Sequence, residues 1–220
     1  MKTEALKDVL GDALLSLEAA RDELRDLDAA IGDGDLGITV TSGARAVREA
    51  LKELPEDAQV VDILRVSAKQ FGAANPSTFS ALIAGGLLAA AKKLPDVTDV
   101  DAEVSLEILQ TLFDSIQLRG KANLGDKTIL DAMHPAILVM QENQGASAEQ
   151  ILSLMIQATD QSITESAALI SQRGRAAWVG ERTIGHRDGG ATAFLRFLEA
   201  LDRAVQHASN QDFRVNNIKS

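Results

Sequence analysis

The chain has 220 residues, of which 45% are hydrophobic and 25% are charged, as in an ordinary globular protein with a substantial core. Its formal net charge is −10, so nucleic-acid binding and binding to anionic membranes are disfavoured. Cysteine is absent, which excludes disulfides, thiolate nucleophiles and cysteine-based zinc sites. The longest apolar stretch, residues 81–91, is too short to span a bilayer, and the N-terminus has no signal-peptide core. These features predict a cytoplasmic protein.

Apolar residues recur every three or four positions along most of the chain, which is the pattern of amphipathic helices. The first such stripe runs from Leu6 through Leu14 to Leu27. No segment alternates in the way that indicates a strand. The sequence therefore predicts an all-α single domain with a polar C-terminal tail and a core of eight helices, at about 3–27, 38–53, 58–73, 77–93, 103–118, 127–143, 147–171 and 190–207.

Capping signals support several of these boundaries. Ser147 and Gln150 have the spacing of a capping box at the start of the seventh helix. Asn75 precedes Pro76, which predicts that Asn75 is the cap of the fourth helix and Pro76 its first residue. Because the connections are short, neighbouring helices should be antiparallel. Connections that follow odd-numbered helices then all lie at one end of the domain.

Three connections at this predicted end contain ten of the sixteen glycines of the chain, together with several charged residues. They read DAAIGDGDLG at 28–37, RGKANLGDKT at 119–128 and QRGRAAWVGERTIGHRDGG at 172–190. A functional site built on loops is expected here. The basic residues of the second and third connections are Arg119, Lys121, Lys127, Arg173, Arg175, Arg182, His186 and Arg187.

The first connection contains three aspartates within eight residues, Asp28, Asp33 and Asp35. Clustered carboxylates suit Mg²⁺, which prefers oxygen ligands. The alternative is a solvated turn with aspartate caps, and spacing alone leaves both open. The letters of residues 32–37 match G-x-G-x-x-G, but a helix rather than a strand precedes them, which argues against a dinucleotide-binding turn. An EF-hand is excluded because Ile38 and Ala44 stand where Gly and Glu are required.

We expect the basic residues of the second and third connections to form a ring that faces the carboxylate cluster. Such a ring suggests a site for a metal-bound nucleotide phosphate, in which a metal bridges phosphate oxygens and arginines donate to the others. The alternative is that the basic side chains only form surface ion pairs with the aspartates, which contribute little stability. Glycine in all three connections favours the ligand, since it lets backbone N–H groups approach a phosphate.

The runs LDAAIGDGDLG, RGKANLGDKT and GRAAWVGERTIGHRDGGATAF closely resemble the nucleotide-binding L subunit, or L domain, of dihydroxyacetone kinases. The three motifs occur in the same order, and the resemblance extends over essentially the whole chain. It implies a barrel of eight antiparallel amphipathic helices. It also implies that ATP or ADP binds at one end of the barrel, with two Mg²⁺ ions between the phosphates and three aspartates.

The resemblance implies a role for each matching position. The metal ligands would be Asp28, Asp33 and Asp35. Arg175 would contact the nucleotide and act as the catalytic residue. The other nucleotide-binding residues would be Leu36, Gly37, Ile38 and Thr39 along the phosphates, Ala74 and Asn75 beside them, Gly120 and Ile129 at the base and ribose, and Asp188, Gly189 and Gly190.

The sequence departs from the family pattern at three places. Leu36 replaces a histidine, residues 73–78 replace a glycine-rich run, and Asp188-Gly189-Gly190 replaces D-P-G. These changes affect how the nucleotide is bound, and they leave the identity of the ketose substrate open, with a tetrulose as one candidate.

The implied function is phosphoryl transfer from Mg-ATP to dihydroxyacetone, or a related short ketose, that a partner K subunit holds. A phosphotransferase-system M subunit and a homodimer are further partners that the resemblance leaves open. The alternative function is a non-catalytic module, loaded with ADP, that regulates a transcription factor or scaffold.

Overall fold

The computed structural model describes residues 1–94 and 97–218, with 211–218 as backbone only. Within these ranges the fold is all-α, as predicted, and the only β feature is an isolated bridge between Lys2 and Asp99. Short 3-10 segments occupy Leu17–Ala20 and Arg175–Thr183. The α-helices are Thr3–Ser16 (α1), Arg21–Ile31 (α2), Leu36–Lys52 (α3), Val60–Ala74 (α4), Thr78–Lys93 (α5), Ala102–Gly120 (α6), Ile129–Glu142 (α7), Ala148–Ser166 (α8) and Gly189–Ile218 (α9).

From α2 onward, each helix packs against the next one along the chain, and α9 packs against both α8 and α1. The helices bury a shared apolar core in which Leu24, Leu130 and Leu195 are almost completely inaccessible. None of the described helices is long and apolar enough to cross a membrane.

The first predicted helix is interrupted. A 3-10 segment at Leu17–Ala20 separates α1 from α2, and α2 continues to Ile31 rather than ending at residue 27. The Ser16 hydroxyl donates to the Asp12 carbonyl at the end of α1, a bond that competes with the helical ladder. Leu17 and Ala20 are both buried, which suits the threefold repeat of a 3-10 turn.

The boundary between α4 and α5 differs from the prediction. The N-cap of α5 is Ser77, whose side chain exchanges hydrogen bonds with Ser80, and not Asn75. Asn75 instead follows α4 in an extended conformation (φ −148°, ψ 93°). The residue before a proline is driven out of the helical region, which explains why α4 ends at Ala74.

Two C-terminal boundaries also differ. The helix predicted at 147–171 begins with the expected Ser147–Gln150 capping box but ends at Ser166. The carbonyl groups of Ala167 and Leu169 accept hydrogen bonds from the Lys127 side chain instead of continuing the helix. The last helix extends past the predicted end at residue 207 to Ile218, because no glycine or proline follows to stop it.

Candidate metal and phosphate site

The three charged connections meet at one end of the domain, as the sequence predicts. Arg175 of the third connection forms an ion pair with Asp33 of the first. The Arg173 Nε atom of the third lies 2.7 Å from an oxygen of Asp126 in the second. The Gln172 backbone N–H also donates to the Asp126 carbonyl, with a distance of 3.0 Å. The loops therefore form one continuous surface.

The three predicted metal ligands converge. One carboxylate oxygen from each of Asp28, Asp33 and Asp35 lies within 4.8 Å of the other two, and no other described group of His, Asp or Glu residues meets this criterion. Asp28 and Asp35 are partly buried, whereas Asp33 is exposed. Partial exposure suits Mg²⁺, which keeps some water ligands and takes phosphate oxygens for the remainder.

Local geometry leaves these carboxylates available to a ligand. Asp35 occupies the N-cap position of α3, but its side chain makes no capping hydrogen bond, while its backbone carbonyl accepts from Thr39 N at 2.9 Å. The described hydrogen bond to the Asp28 carboxylate is a long one of 3.2 Å, from the backbone N–H of Leu36. Glycine at residue 32 leaves room for the Asp28 carboxylate, because a Cβ there would displace this carboxylate and would also lie 2.9 Å from the Asp28 backbone carbonyl oxygen. The acidic loop, residues 28–36, is thus built to present carboxylate oxygens.

The electrostatics of the loop favour a bound cation. Partial burial, together with the charges of Asp33 and Asp28, raises the pKa of Asp35, and the Arg175 guanidinium opposes this rise. Among the described side chains, Arg175 is the one cation that forms ion pairs with this cluster, and it pairs with Asp33 and Asp35. One guanidinium leaves net negative charge on the loop, which a divalent ion would neutralise.

Two helices begin beside the acidic loop. The first residue of α3, Leu36, lies against the first residue of α9, Gly189, where any Cβ would clash with the leucine side chain. Helix N-termini carry unpaired N–H groups and a partial positive charge, so they attract phosphate. Asp188 caps α9 by accepting from Ala191 N at 2.8 Å. Burial raises the pKa of Asp188 to about 6.

One of the predicted phosphate-binding residues, Thr39, contacts Asn75 of the predicted pair Ala74 and Asn75. The Asn75 side chain donates to the Thr39 hydroxyl across a distance of 2.9 Å, and Thr39 is buried. Gly37 packs directly on the backbone of α2 at Arg21, where a Cβ would not fit. Ile38, by contrast, is exposed. The start of α3 is consequently fixed by α2 on one side and by Asn75 on another.

The residues predicted for the base and ribose lie on the α5–α7 side of this end. Gly120 is the last residue of α6 and faces Leu82 of α5. Ile129 is buried in an apolar cluster with Phe113 and Ala122, and Phe79 packs on the same cluster. Phe79 is also the neighbour of Gly190. These contacts connect the apolar cluster to the first turn of α9.

The basic side chains do not form the predicted ring around the aspartates. Arg187 pairs with Asp160 on α8 at 3.0 Å. Arg119 lies against Gly85 of α5. Lys127 is only 1% exposed and donates to three backbone carbonyls, so it is a buried residue rather than an exposed phosphate ligand. The reason is that carbonyls beyond the end of α8 lack helical partners and accept from its ammonium group.

Asp131 is a structural residue of this end that the sequence interpretation missed. Its carboxylate accepts from Gly125 N at 2.6 Å and from Thr128 N at 2.7 Å, and it thereby fixes the second connection at the start of α7. Thr128 and Asp131 have the spacing of a capping box, and this spacing in the sequence could have identified Asp131.

The fold and the site together define a helical protein whose loops bring a carboxylate cluster that could hold a metal ion next to two helix N-termini that could hold a phosphate. The DAK2 domain family matches residues 30–203, and the chain belongs to this family. It is 34% identical over 209 residues to the PEP-dependent dihydroxyacetone kinase 2, ADP-binding subunit DhaL, of Listeria innocua serovar 6a. That alignment covers 90% of this chain and 94% of the Listeria subunit, and the resemblance found in the motifs is confirmed.

Two further comparisons extend this result. The chain is 33% identical over 190 residues to the D-erythrulose kinase of Mycolicibacterium smegmatis, covering 84% of this chain and 32% of that enzyme. The crystal structure of the dihydroxyacetone kinase from C. freundii in complex with AMP-PNP and Mg²⁺ has the same fold, with a TM-score of 0.74 at 21% identity. The match covers 93% of this chain and 34% of the C. freundii chain.

Proposed function

We propose that this chain is the nucleotide-binding subunit of a kinase that phosphorylates dihydroxyacetone or a related short ketose. The convergence of the Asp28, Asp33 and Asp35 carboxylates beside Arg175 and two helix N-termini carries this proposal. The relatives named as dihydroxyacetone kinase subunits support it. The ketose would be held by a separate K subunit that docks at this end.

The aspartates would hold two Mg²⁺ ions, which neutralise the charge that develops on the transferred phosphoryl group. Their donor set fits this role because all three side chains offer hard oxygen atoms with few competing hydrogen bonds. Arg175 competes for the same oxygens of Asp33 and Asp35. Once displaced from them, its guanidinium can donate to a phosphate oxygen and stabilise the transition state.

The remaining residues of the site would orient the nucleotide. Backbone N–H groups of Gly37 and Ile38 lie in the first turn of α3, where they have no helical acceptor and can donate to phosphate. Thr39, fixed by Asn75, follows them. At the other side, Gly120 and Ile129 border the position proposed for the base and ribose.

The phosphoryl donor is either free ATP or a phosphocarrier protein that rephosphorylates bound ADP. Leu36 favours exchange with free ATP, since its side chain packs on Gly189 and has no group to donate to a phosphate. The acceptor class covers dihydroxyacetone and tetruloses, because relatives of both names match this chain.

Reconstitution tests this function. The purified chain, combined with a dihydroxyacetone kinase K subunit, Mg²⁺, ATP and either dihydroxyacetone or erythrulose, should form the ketose phosphate, measured by coupled assay. Each protein alone should show negligible transfer. Tight ADP binding without transfer to any ketose would instead support the regulatory module and contradict the proposed enzyme.

A further inference from the structure

Lys127 has an environment that the proposed chemistry does not use. Its side chain is 1% exposed, the largest of the fully buried side chains in the described residues. Its backbone adopts a left-handed conformation with φ 60°, which is uncommon for a residue other than glycine. Burial lowers the pKa of its ammonium group. A buried lysine in a disfavoured backbone conformation must be compensated by its contacts.

Those contacts use the full donor capacity of the ammonium group. The Lys127 Nζ atom donates to the carbonyl of Ala167 at 3.0 Å, of Leu169 at 2.9 Å and of Thr183 at 2.5 Å. An ammonium group has three donors, so each one has an acceptor. A lysine with three backbone carbonyl acceptors cannot serve a phosphate without breaking these bonds.

The three acceptors lie at the two ends of one segment. Ala167 and Leu169 follow α8, and Thr183 ends the 3-10 turn that Arg175 begins. Other bonds close the same loop: Gly185 N donates to the Ala167 carbonyl at 2.8 Å, and Ser171 N donates to the Thr183 hydroxyl at 3.0 Å. Lys127 therefore holds together the two ends of residues 167–185, here called the arginine segment.

We propose that Lys127 is a positioning residue, which holds the arginine segment so that Arg175 reaches the carboxylates of the acidic loop. Arg175 projects from this segment to Asp33, and the 3-10 turn that Arg175 begins also lies against α2. The hydrogen bonds that join the segment to the second connection run to Asp126 and Lys127. The arginine segment thus connects Lys127 to Arg175. The inference rests on the proposed function insofar as Arg175 serves the nucleotide.

The alternative is that Lys127 stabilises the whole domain and has no particular effect on the site. The two roles differ in what a substitution changes. A positioning residue controls the order of the arginine segment in the folded protein, whereas a general stabiliser changes only the free energy of unfolding. Trp178, the single tryptophan of the chain, lies within the arginine segment and is 85% exposed, so its fluorescence anisotropy reports the motion of this segment.

The central experiment compares Lys127→Met with Leu64→Ala. Leu64 is buried in an apolar cluster of α4, α5 and α6 that contains no residue of the acidic loop or the arginine segment, and its truncation lowers stability generally. In folded Lys127→Met we expect faster Trp178 depolarisation and faster hydrogen exchange at 168–186. Calorimetry should show roughly 10–100-fold weaker Mg·ADP binding, the usual cost of losing a residue that orients ligands. Leu64→Ala should change none of these three measurements.

A rescue experiment separates the ammonium group from the substitution. Because the chain has no cysteine, Lys127→Cys introduces a single thiol, which can be alkylated with bromoethylamine in denaturant and refolded as a near-isostere of lysine. Aminoethylation should restore the anisotropy and the Mg·ADP affinity that the unmodified Lys127→Cys protein lacks. Failure of a correctly refolded aminoethylated protein to regain both would overturn the proposal.

If Lys127→Met does not fold, Lys127→Gln tests the same attachment. Its amide is shorter and has two N–H donors, so it cannot serve all three of the carbonyls that accept from Lys127. Wild-type anisotropy and exchange in this folded variant, or in Lys127→Met itself, would refute the positioning role. If the wild-type protein binds no Mg·ADP, the proposed function fails, while Trp178 anisotropy and exchange still decide whether Lys127 orders the segment.

Discussion

Two charged centres lie at the same end of the domain and have opposite characters. In the acidic loop, three carboxylates lie within 4.8 Å of one another, two of them pair with one guanidinium, and the hydrogen bonds to the cluster are few. Around Lys127, a single ammonium group is buried and every donor is used. A bound cation would stabilise the acidic loop by neutralising its carboxylates. A ligand would not stabilise the surroundings of Lys127 further, since every donor of its ammonium group already has an acceptor. Unsatisfied charge therefore marks the proposed binding site, and satisfied charge marks its proposed support.

The largest expected effect is the loss of nucleotide binding on removing one loop carboxylate. Asp33→Asn should weaken Mg·ADP binding by at least about a hundredfold, since even indirect support of a metal commonly contributes 10–100-fold. Helix content by far-UV circular dichroism should be unchanged because Asp33 is exposed. The matched control is Asp160→Asn, which removes the same charge from the Arg187 pair on α8. Equal calorimetric affinity in both variants would contradict the assigned metal site.

A second prediction uses the ligand rather than a substitution. A ligand that binds only the folded state stabilises it by about 2.7 kcal/mol at a hundredfold excess over Kd. For a chain of 220 residues, Mg·ADP should then raise Tm by roughly 5–10 °C. EDTA should abolish the increase if the aspartates act through a metal. An increase of equal size under full chelation would show that the nucleotide binds without the acidic loop.

These two centres were not equally predictable from the sequence. The aspartates lie within eight residues of one another, so their convergence needs only a local turn. The acceptors of Lys127 lie 40, 42 and 56 residues away from it, and their carbonyls are backbone groups that no sequence motif identifies. Lys127 was predicted to be one of a ring of exposed cations, because a count of charged residues does not show which backbone carbonyls lack a hydrogen-bond partner.

The fold shows the same division between local and distant causes. Apolar periodicity predicted α-helix in every region where the described residues form one, because each α-helix buries one stripe, but it joined α1 and α2 into a single helix. It did not detect the 3-10 turn at Leu17–Ala20, since a repeat of three keeps those buried residues on the same face. The end of α8 at Ser166 was missed for a different reason, since its cause is Lys127, far away in the chain. Capping boxes, which are local, were informative at Ser147.

A third prediction concerns Asp188, which lies between the two centres as the N-cap of α9. Burial and Asp131 raise its pKa to about 6, against the partly compensating charge of Lys127. The unfolded chain titrates this group near pH 4, so the native state binds more protons between pH 4 and 6 and its stability falls as pH rises. Asp188→Asn keeps a capping oxygen and cannot titrate.

The free energy of unfolding of Asp188→Asn, relative to wild type, should therefore rise by about 2 kcal/mol from pH 4 to pH 6 and stay constant above that range. Urea unfolding monitored by circular dichroism at a series of pH values provides the measurement. A difference that does not depend on pH would mean that Asp188 is charged throughout this range and that its burial is compensated by neighbours.

The smallest expected effect belongs to Arg173, which joins the same two connections as Lys127 but at the surface. Its Nε atom lies 2.7 Å from Asp126, and its side chain is 41% exposed. Exposed ion pairs contribute about 0.2–1 kcal/mol and are screened by salt, so Arg173→Ala should lower the free energy of unfolding by no more than this.

Arg173 lowers the pKa of Asp126, so this stability is present at neutral pH and is lost as pH falls through that pKa. The effect of Arg173→Ala should accordingly vanish in acid and in about 1 M salt, and Trp178 anisotropy should remain that of the wild type. A large loss of order in the arginine segment would mean that the surface pair, and not the buried lysine, attaches it.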